Sequence, residues 1–427
     1  MKDYEFTPPH ATTEFLMRVW FVLLLMSVAG YGQNFSQRGY LENRATFYPQ
    51  KAVNDSAQFV GESQLRYETF YDPSKSWQFA AGVDLQIDTH HQDERSWDVS
   101  WSDRELQRPT AEARRLTATY HKDKLTLELG KQLIRWGKTD ILNPTDRFAP
   151  RDYLTVIDND FIPIVAARAT YESGSNTIDV IWSPRFTPSR IPLLNQRWFV
   201  PPSNLPAGVE IREGGASFPG GSQEGIRWDH LGRIDFSASY YQGYNNLPLF
   251  GSQAGIDPST SRPALNLTPF YPEMRMIGSD ASVPLRWLTL KAEGGYFSST
   301  DPRADEYGLF VVQLERQAGE WFFVGGYAGQ AVTREGTAVQ NFAPDRGLAQ
   351  TVLARASYTI DANRSVSFET AARQNGHGTY AKAEYSQAFG QHWRATVNAT
   401  LIRGDISDFL GQYRLNSHAA LILRYSF

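Results

Sequence analysis

The segment Leu127–Pro163 reads LELGKQLIRWGKTDILNPTDRFAPRDYLTVIDNDFIP. It carries Lys138, Asp140, Asp146, Arg147, Arg151, Asp152, Asp158 and Asp160 within a few turns' reach of one another. Opposed guanidinium and carboxylate groups beside an aqueous path set a transverse field and an ion preference. The same residues could instead pair only among themselves and fix the shape of a surface loop. A second cluster, DTHHQDERS, puts His90 and His91 beside Asp93, Glu94 and Ser96. Such a group could bind a metal or act as a base toward the serine, but a charged, solvated loop accounts for it more simply. The chain has no cysteine, so disulfides and thiolate metal sites are excluded. No phosphate-binding or dinucleotide fingerprint and no haem attachment motif occurs. The expectation is a chain that is not an enzyme and uses no cofactor and no metal.

The elements around these residues are strands. In SWQFAAGVDLQID, Trp77, Phe79, Ala81, Val83, Leu85 and Ile87 alternate with polar or small residues. HWRATVNATL sets Trp393, Ala395, Val397, Ala399 and Leu401 against Arg394, Thr396, Asn398 and Thr400. This period of two, over about ten residues, suits a tilted membrane strand with one face to lipid and one to a polar lumen. Composition agrees: mean hydropathy is −0.43 while aromatics reach 13%, because a polar inner face dilutes an apolar outer one. The net charge of −4 gives no basic field for nucleic acid.

The connections decide the fold class. Short ones (DPSKS, HKDK, ESGSN, DHLG, PLR, RQAGE, DANR, FGQ) alternate with mostly long ones, including Thr89–Thr110, Gly137–Pro163, Pro184–Glu224 and Asn245–Tyr271. Short periplasmic turns and long extracellular loops mark an all-β, antiparallel, up-and-down transmembrane barrel. The pattern gives about 18 strands, with 16 as the alternative, from near Phe35 to Phe427. An even number returns both ends to the periplasm. Before the barrel, Arg18, the apolar run Val19–Val28 and the small residues Ala29, Gly30 and Gly32 have the order of a secretory signal. Residues 1–32 are therefore expected to be a signal peptide, with Met17 a candidate true start, and 33–427 one barrel domain.

Alternation assigns Asp84, Arg115, Glu128, Asp235, Lys291, Glu293, Arg355, Glu369, Arg373, Lys382, Glu384, Arg394 and Arg424 to the lumen. Both signs occur, so a strictly anionic or cationic pore is not indicated. Trp77, Tyr120, Tyr240, Tyr241, Trp287, Trp321, Trp393 and Tyr425 suit interfacial girdles. The fourth long loop, rich in Pro and Gly, reads as a lid, a partner surface or a mobile solvent loop.

The closing LILRYSF, with Tyr425 and the final Phe427 outward, resembles the signal of Gram-negative outer-membrane proteins read by the barrel-assembly machinery. The order GKQ…RWG…NP.D, followed by VIWSPRFTPSRIPLLNQRW, resembles porin-like outer-membrane families, including the alginate-export type. The resemblance covers Gly130–Trp198 and implies an outer-membrane location. The resemblance carries no substrate; the barrel pattern gives a passive channel for hydrophilic small solutes or an exported polymer, constricted by loop 137–163. A sheath or docking port for a periplasmic or surface partner is the alternative, and a surface hydrolase a weaker one. Outer-membrane lipid is the expected surround. A homotrimer and a periplasmic partner both stay open.

Overall fold

The computed structural model describes residues 34–140, 142–201, 205–206, 208–256, 261–337 and 342–427. The expected signal peptide lies outside the described residues. Eighteen strands close into an antiparallel barrel. In chain order they are β1 (Phe35–Phe47), β2 (Phe59–Ser74), β3 (Trp77–Asp88), β4 (Ala111–Lys122), β5 (Leu125–Gln132), β6 (Ile164–Ser173), β7 (Asn176–Ser183), β8 (Gln223–His230) and β9 (Asp235–Tyr244). They continue as β10 (Glu273–Pro284), β11 (Thr289–Ser298), β12 (Glu306–Ala318), β13 (Trp321–Arg334), β14 (Thr351–Asp361), β15 (Arg364–Arg373), β16 (Gly378–Phe389), β17 (Trp393–Gly404) and β18 (His418–Ser426).

Each strand pairs with its chain neighbours, and β18 returns to β1, where Asn43 lies opposite Leu423 and Phe47 opposite Ala419. The closure continues past β18: the Gly39 amide donates to the Phe427 carbonyl at 2.9 Å, and the Phe427 amide donates back at 3.0 Å. A sheet closed in this way leaves no unpaired edge in lipid.

Alternation becomes a division of surfaces. On β18, Leu421 and Leu423 are 52% and 41% exposed while Ala420 is 4%. On β8, Ile226 and Trp228 face out and Arg227 is buried. At the short-turn end, three Trp–Tyr pairs sit directly opposite each other on adjacent strands: Trp77–Tyr120, Trp321–Tyr358 and Trp393–Tyr425. Their ring centroids are 4.9, 4.8 and 5.0 Å apart. Such aromatic bands anchor a barrel at the membrane–water interface. One expected girdle residue is elsewhere: Tyr241 is fully buried on the inner side, where its hydroxyl donates to Gln223 at 2.7 Å. Its neighbour Tyr240 takes the outward position. Among the described residues no helix is long and apolar enough to cross a membrane.

Outside the barrel, on the long-loop side, Leu249–Ile256 pairs antiparallel with Pro263–Phe270, and Glu210–Glu213 runs parallel to the latter.

Candidate functional site

The charged segment leaves β5 at Gln132 and enters β6 at Ile164. Near its start, the amides of Trp136 and Gly137 both donate to Asp146 Oδ1, at 2.5 and 2.6 Å. Asp146 thus closes the first bend of its own segment. Arg151–Asp152 and Asp160–Phe161 form a short hairpin at the other end. The Arg135 and Arg151 guanidiniums lie 4.3 and 4.2 Å from the Phe161 ring centroid.

The contacts of this segment with the wall lie on opposite sides of the ring. On one side, the Lys138 ammonium reaches Asp280 of β10 at 3.0 Å. Glu293 of β11 accepts five hydrogen bonds: from the Lys138 and Thr139 amides, the Thr139 hydroxyl, and the amide and hydroxyl of Thr145, all between 2.8 and 3.1 Å. Asp140 accepts from Gln313 of β12 at 2.7 Å and lies 3.7 Å from Lys291. On the other side, Asp158 meets Arg44 of β1 and Lys382 of β16, each at 3.3 Å. Asp160 meets Arg66 of β2 at 3.0 Å and Arg114 of β4 at 3.1 Å. Asp152 meets two residues of other long loops rather than the wall, Arg108 at 2.8 Å and Arg190 at 3.4 Å. All the wall partners are on inward positions, so the segment crosses the barrel interior.

Electrostatics of the anchors follows from those partners. Burial pushes each carboxyl up, but the cations outweigh it. Asp158 is held below the usual carboxylate range by Lys382 and Arg44, Asp160 by Arg114 and Arg66, and Asp152 by Arg108 and Arg190. Asp140 is likewise low: burial raises it, and the hydrogen bond from Gln313 and the Lys291 charge lower it further.

Two spaces remain beside the segment. A cavity of about 430 Å³ separates it from the β13–β16 wall. Asp140, Arg151, Arg355, Glu369 and Asp345 line it together with Leu142, Ile157, Leu348, Leu353 and Phe409. A smaller space of about 150 Å³ lies toward β1–β4 and is walled mostly by charge, Glu62, Asp84, Glu112 and Asp158 facing Arg44, Arg108 and Arg114.

No family model and no curated protein matches the chain. Solved structures do. A BenF-like porin from Pseudomonas fluorescens Pf-5 aligns over 93% of this chain and 99% of its own, with 11% identity and a TM-score of 0.53. Pseudomonas aeruginosa OpdQ aligns over 92% and 98%, with 11% identity and a TM-score of 0.50. Pseudomonas aeruginosa OccK5 (OpdH) aligns over 93% and 99%, with 10% identity and a TM-score of 0.50. The fold is that of the porins. At this identity the likeness is one of fold. A closed barrel with this apolar belt is a membrane barrel, and its place is the outer membrane of a Gram-negative bacterium.

In this porin fold, the residues expected in the lumen take distinct positions. Arg355 is inward and exposed, opposite Glu369. Lys291 binds Glu315 at 2.6 Å, and Arg424 donates to Glu42 at 2.7 Å. Arg394 donates to Ser386 at 3.1 Å, and Glu128 lies opposite Arg168. Lys382 also lies 3.9 Å from Glu384. Arg373 binds Asp408 and the Ala349 carbonyl at the loop end. Asp235 sits at a short turn, where its carboxylate accepts the Gly232 amide at 3.0 Å. Arg147 lines the larger cavity as well, paired there with Asp345, 3.6 Å away.

Arg114 is a lumen residue that simple alternation assigns to lipid. A register shift opposite Gly82 and Val83 inserts it as an extra residue, so Arg114 and Arg115 both point inward. Arg114 reaches Asp84 and Asp160, Arg115 reaches Glu68. The histidine cluster splits: His90 Nε2 is 2.7 Å from Asp55 of the first long loop, while the Ser96 hydroxyl donates to Asp98. The first half of the fourth long loop is packed rather than loose. Trp198 is 1% exposed against Tyr413, and Arg197 lies 3.5 Å from Asp55.

Proposed function

We propose that the protein is a passive outer-membrane diffusion channel for small hydrophilic solutes, constricted by the segment 137–163. The single observation that carries this reading is the crossing of the barrel by that segment, held at Glu293 and Asp140 on one side and at Asp158 and Asp160 on the other. A wide barrel without such a bar would pass solutes by size alone. With it, solutes pass beside Asp140, Arg151 and Arg355, which select by charge at close quarters.

The test is single-channel recording of refolded protein in a planar bilayer across a salt gradient. Discrete steps with a stable reversal potential are expected. A folded, heat-modifiable barrel that never conducts would overturn the channel reading.

A further inference from the structure

On the outer face of β9–β11 the apolar belt ends at a row of three directly opposed residues. Ile277 of β10 lies between Tyr240 of β9 and Tyr296 of β11, and all three are exposed. Outward tyrosines mark the membrane–water interface. Two residues further toward the long loops, Arg275 lies between Gln242 and Ser298 on the same face. It is exposed, and its guanidinium has no partner among the described residues. Two residues further again, Glu273 lies opposite Tyr244. Both border a cleft of about 690 Å³ that lies outside the pore, at the barrel's rim.

Phe218, Tyr244, Phe270 and Tyr271 line this cleft together with Glu273 and Asp301. Its walls are braced. Phe218 stacks on Tyr271 with centroids 5.7 Å apart, and Tyr271 meets the fully buried Phe186 at 4.8 Å. Arg104 of the second long loop lies 5.0 Å from the Phe218 centroid and donates to the Phe186 carbonyl at 3.0 Å. On the facing side, Arg303 pairs with Asp301 at 2.7 Å and lies 3.8 Å from the Phe270 centroid. The Thr300 hydroxyl donates to Glu273 Oε2 at 2.9 Å, which leaves Oε1 open.

We propose that this cleft docks the phosphorylated sugar headgroup of an outer-leaflet glycolipid. Height selects the occupant. Four residues of tilted strand carry Glu273 roughly 10 Å beyond Ile277. A phospholipid head rises only about 5–8 Å above the hydrocarbon, so a lipid that fills the cleft has a taller head. Chemistry selects it too. A pyranose has a face of C–H groups that suits the negative face of an aromatic ring, and hydroxyls that donate to a carboxylate such as Glu273. The unpaired Arg275 stands between belt and cleft, at the level where a phosphate joins such a sugar to the interface, and a guanidinium matches a phosphate in charge and geometry. A purely apolar partner would leave Arg275 unanswered, and a phospholipid would leave the aromatic cleft unfilled.

The chain has no cysteine, so Ser217→Cys, exposed in the cleft, carries an environment-sensitive dye at a single position. The labelled full-length protein, refolded in detergent, is titrated separately with rough-type lipopolysaccharide, phosphatidylglycerol and glucosamine phosphate. A saturable spectral shift is expected with the lipopolysaccharide alone. Arg275→Gln should raise the half-saturating concentration about tenfold. Phe218→Ala should weaken the response as well, and unit conductance should be unchanged in both. Arg403→Gln is the matched control: Arg403 is exposed on β17, two residues beyond the outward Leu401, and its loss should leave the titration as it was. Should Phe218→Ala fail to fold, Arg275→Gln, a surface substitution, carries the comparison with Arg403→Gln. An equal shift with phosphatidylglycerol overturns the proposal, because phosphate alone then suffices. So does saturation by glucosamine phosphate, which would make a soluble sugar the ligand, or a loss with Arg403→Gln as large as with Arg275→Gln.

Discussion

Thr145 is clamped by Glu293: its amide and hydroxyl both reach Oε1, at 3.0 and 2.8 Å, across 148 positions of sequence. With Lys138 and Thr139 on Oε2, one strand carboxylate holds three residues of the crossing segment. Glu293→Gln turns one acceptor oxygen into an NH₂ group that faces N–H donors. Each unanswered buried group costs about 1–3 kcal/mol. The expected result is a barrel that still assembles but carries larger, noisier single-channel steps. Conductance identical to the unaltered protein would show that Glu293 does not hold the segment in place.

The opposite anchors fix the response to acid. Asp152, Asp158 and Asp160 have carboxyls held below their ordinary 3.8 by arginine and lysine. A carboxyl lowered on folding contributes stability above its unfolded value, and that contribution is lost as pH falls through the lowered folded value. Conductance and noise should thus stay constant from neutral pH down to about 4 and change only below it. Bilayer recordings at stepped pH check this, and a transition between pH 5 and 7 would contradict it. Asp158→Asn, which removes the nearest carboxylate from both Lys382 and Arg44, should bring the low-pH behaviour to neutral pH.

Much of the barrel was legible from the sequence, because lipid on one side and water on the other impose a strict period of two. That period, with alternating loop lengths, gave the strand number. It failed at Arg114 because a bulge changes parity without changing composition. It also failed for the filling of the lumen. Met274, Met276, Phe297, Tyr307 and Leu309 all occupy inward positions, yet they form an apolar cluster with Trp136 and Phe148 of the crossing segment. A polar lumen was the wrong assumption there. The signal was present in the sequence: toward their long-loop ends β11 and β12 carry large apolar residues on both faces, Tyr296 beside Phe297 and Leu309 beside Phe310, which a strand needs only when something packs inside it. The ion-pair partners of the segment were not legible, since pairing across the ring depends on where the loop crosses.

The C-terminal residue makes a further demand on the seam. A Cβ at Gly39 would lie 2.5 Å from the Arg66 carbonyl oxygen and 2.7 Å from Phe427 Cζ. Only a glycine lets the Phe427 ring lie across β1 while its backbone closes the last two hydrogen bonds. Gly39→Val should lower the fraction of chain that reaches the heat-modifiable form. Phe427→Ala in the same background should restore part of it by removing the clashing ring, unless recognition by the assembly machinery needs that ring. Gly39→Val assembling in full yield would show that the seam can yield.

Selectivity should rest on the charges that remain open to the passage. Most lumen charges are neutralised by a neighbour, as Lys291 is by Glu315 and Arg424 by Glu42. Arg355 is exposed and shares the larger cavity with Asp140, whose side chain is 60% exposed. These two act on a passing ion with opposite sign, and the Arg355 charge helps to hold Asp140 ionised. Arg355→Glu should therefore move the reversal potential toward cation preference, and Asp140→Asn should move it toward anion preference. Both shifts should shrink as salt rises, because a Debye length of about 10 Å at 0.1 M falls to about 3 Å at 1 M. Arg147→Gln, which alters a largely buried charge in the same cavity already paired with Asp345, should shift the reversal potential less than either. If Arg147→Gln shifts it most, pairing with Asp345 does not neutralise Arg147 toward the passage.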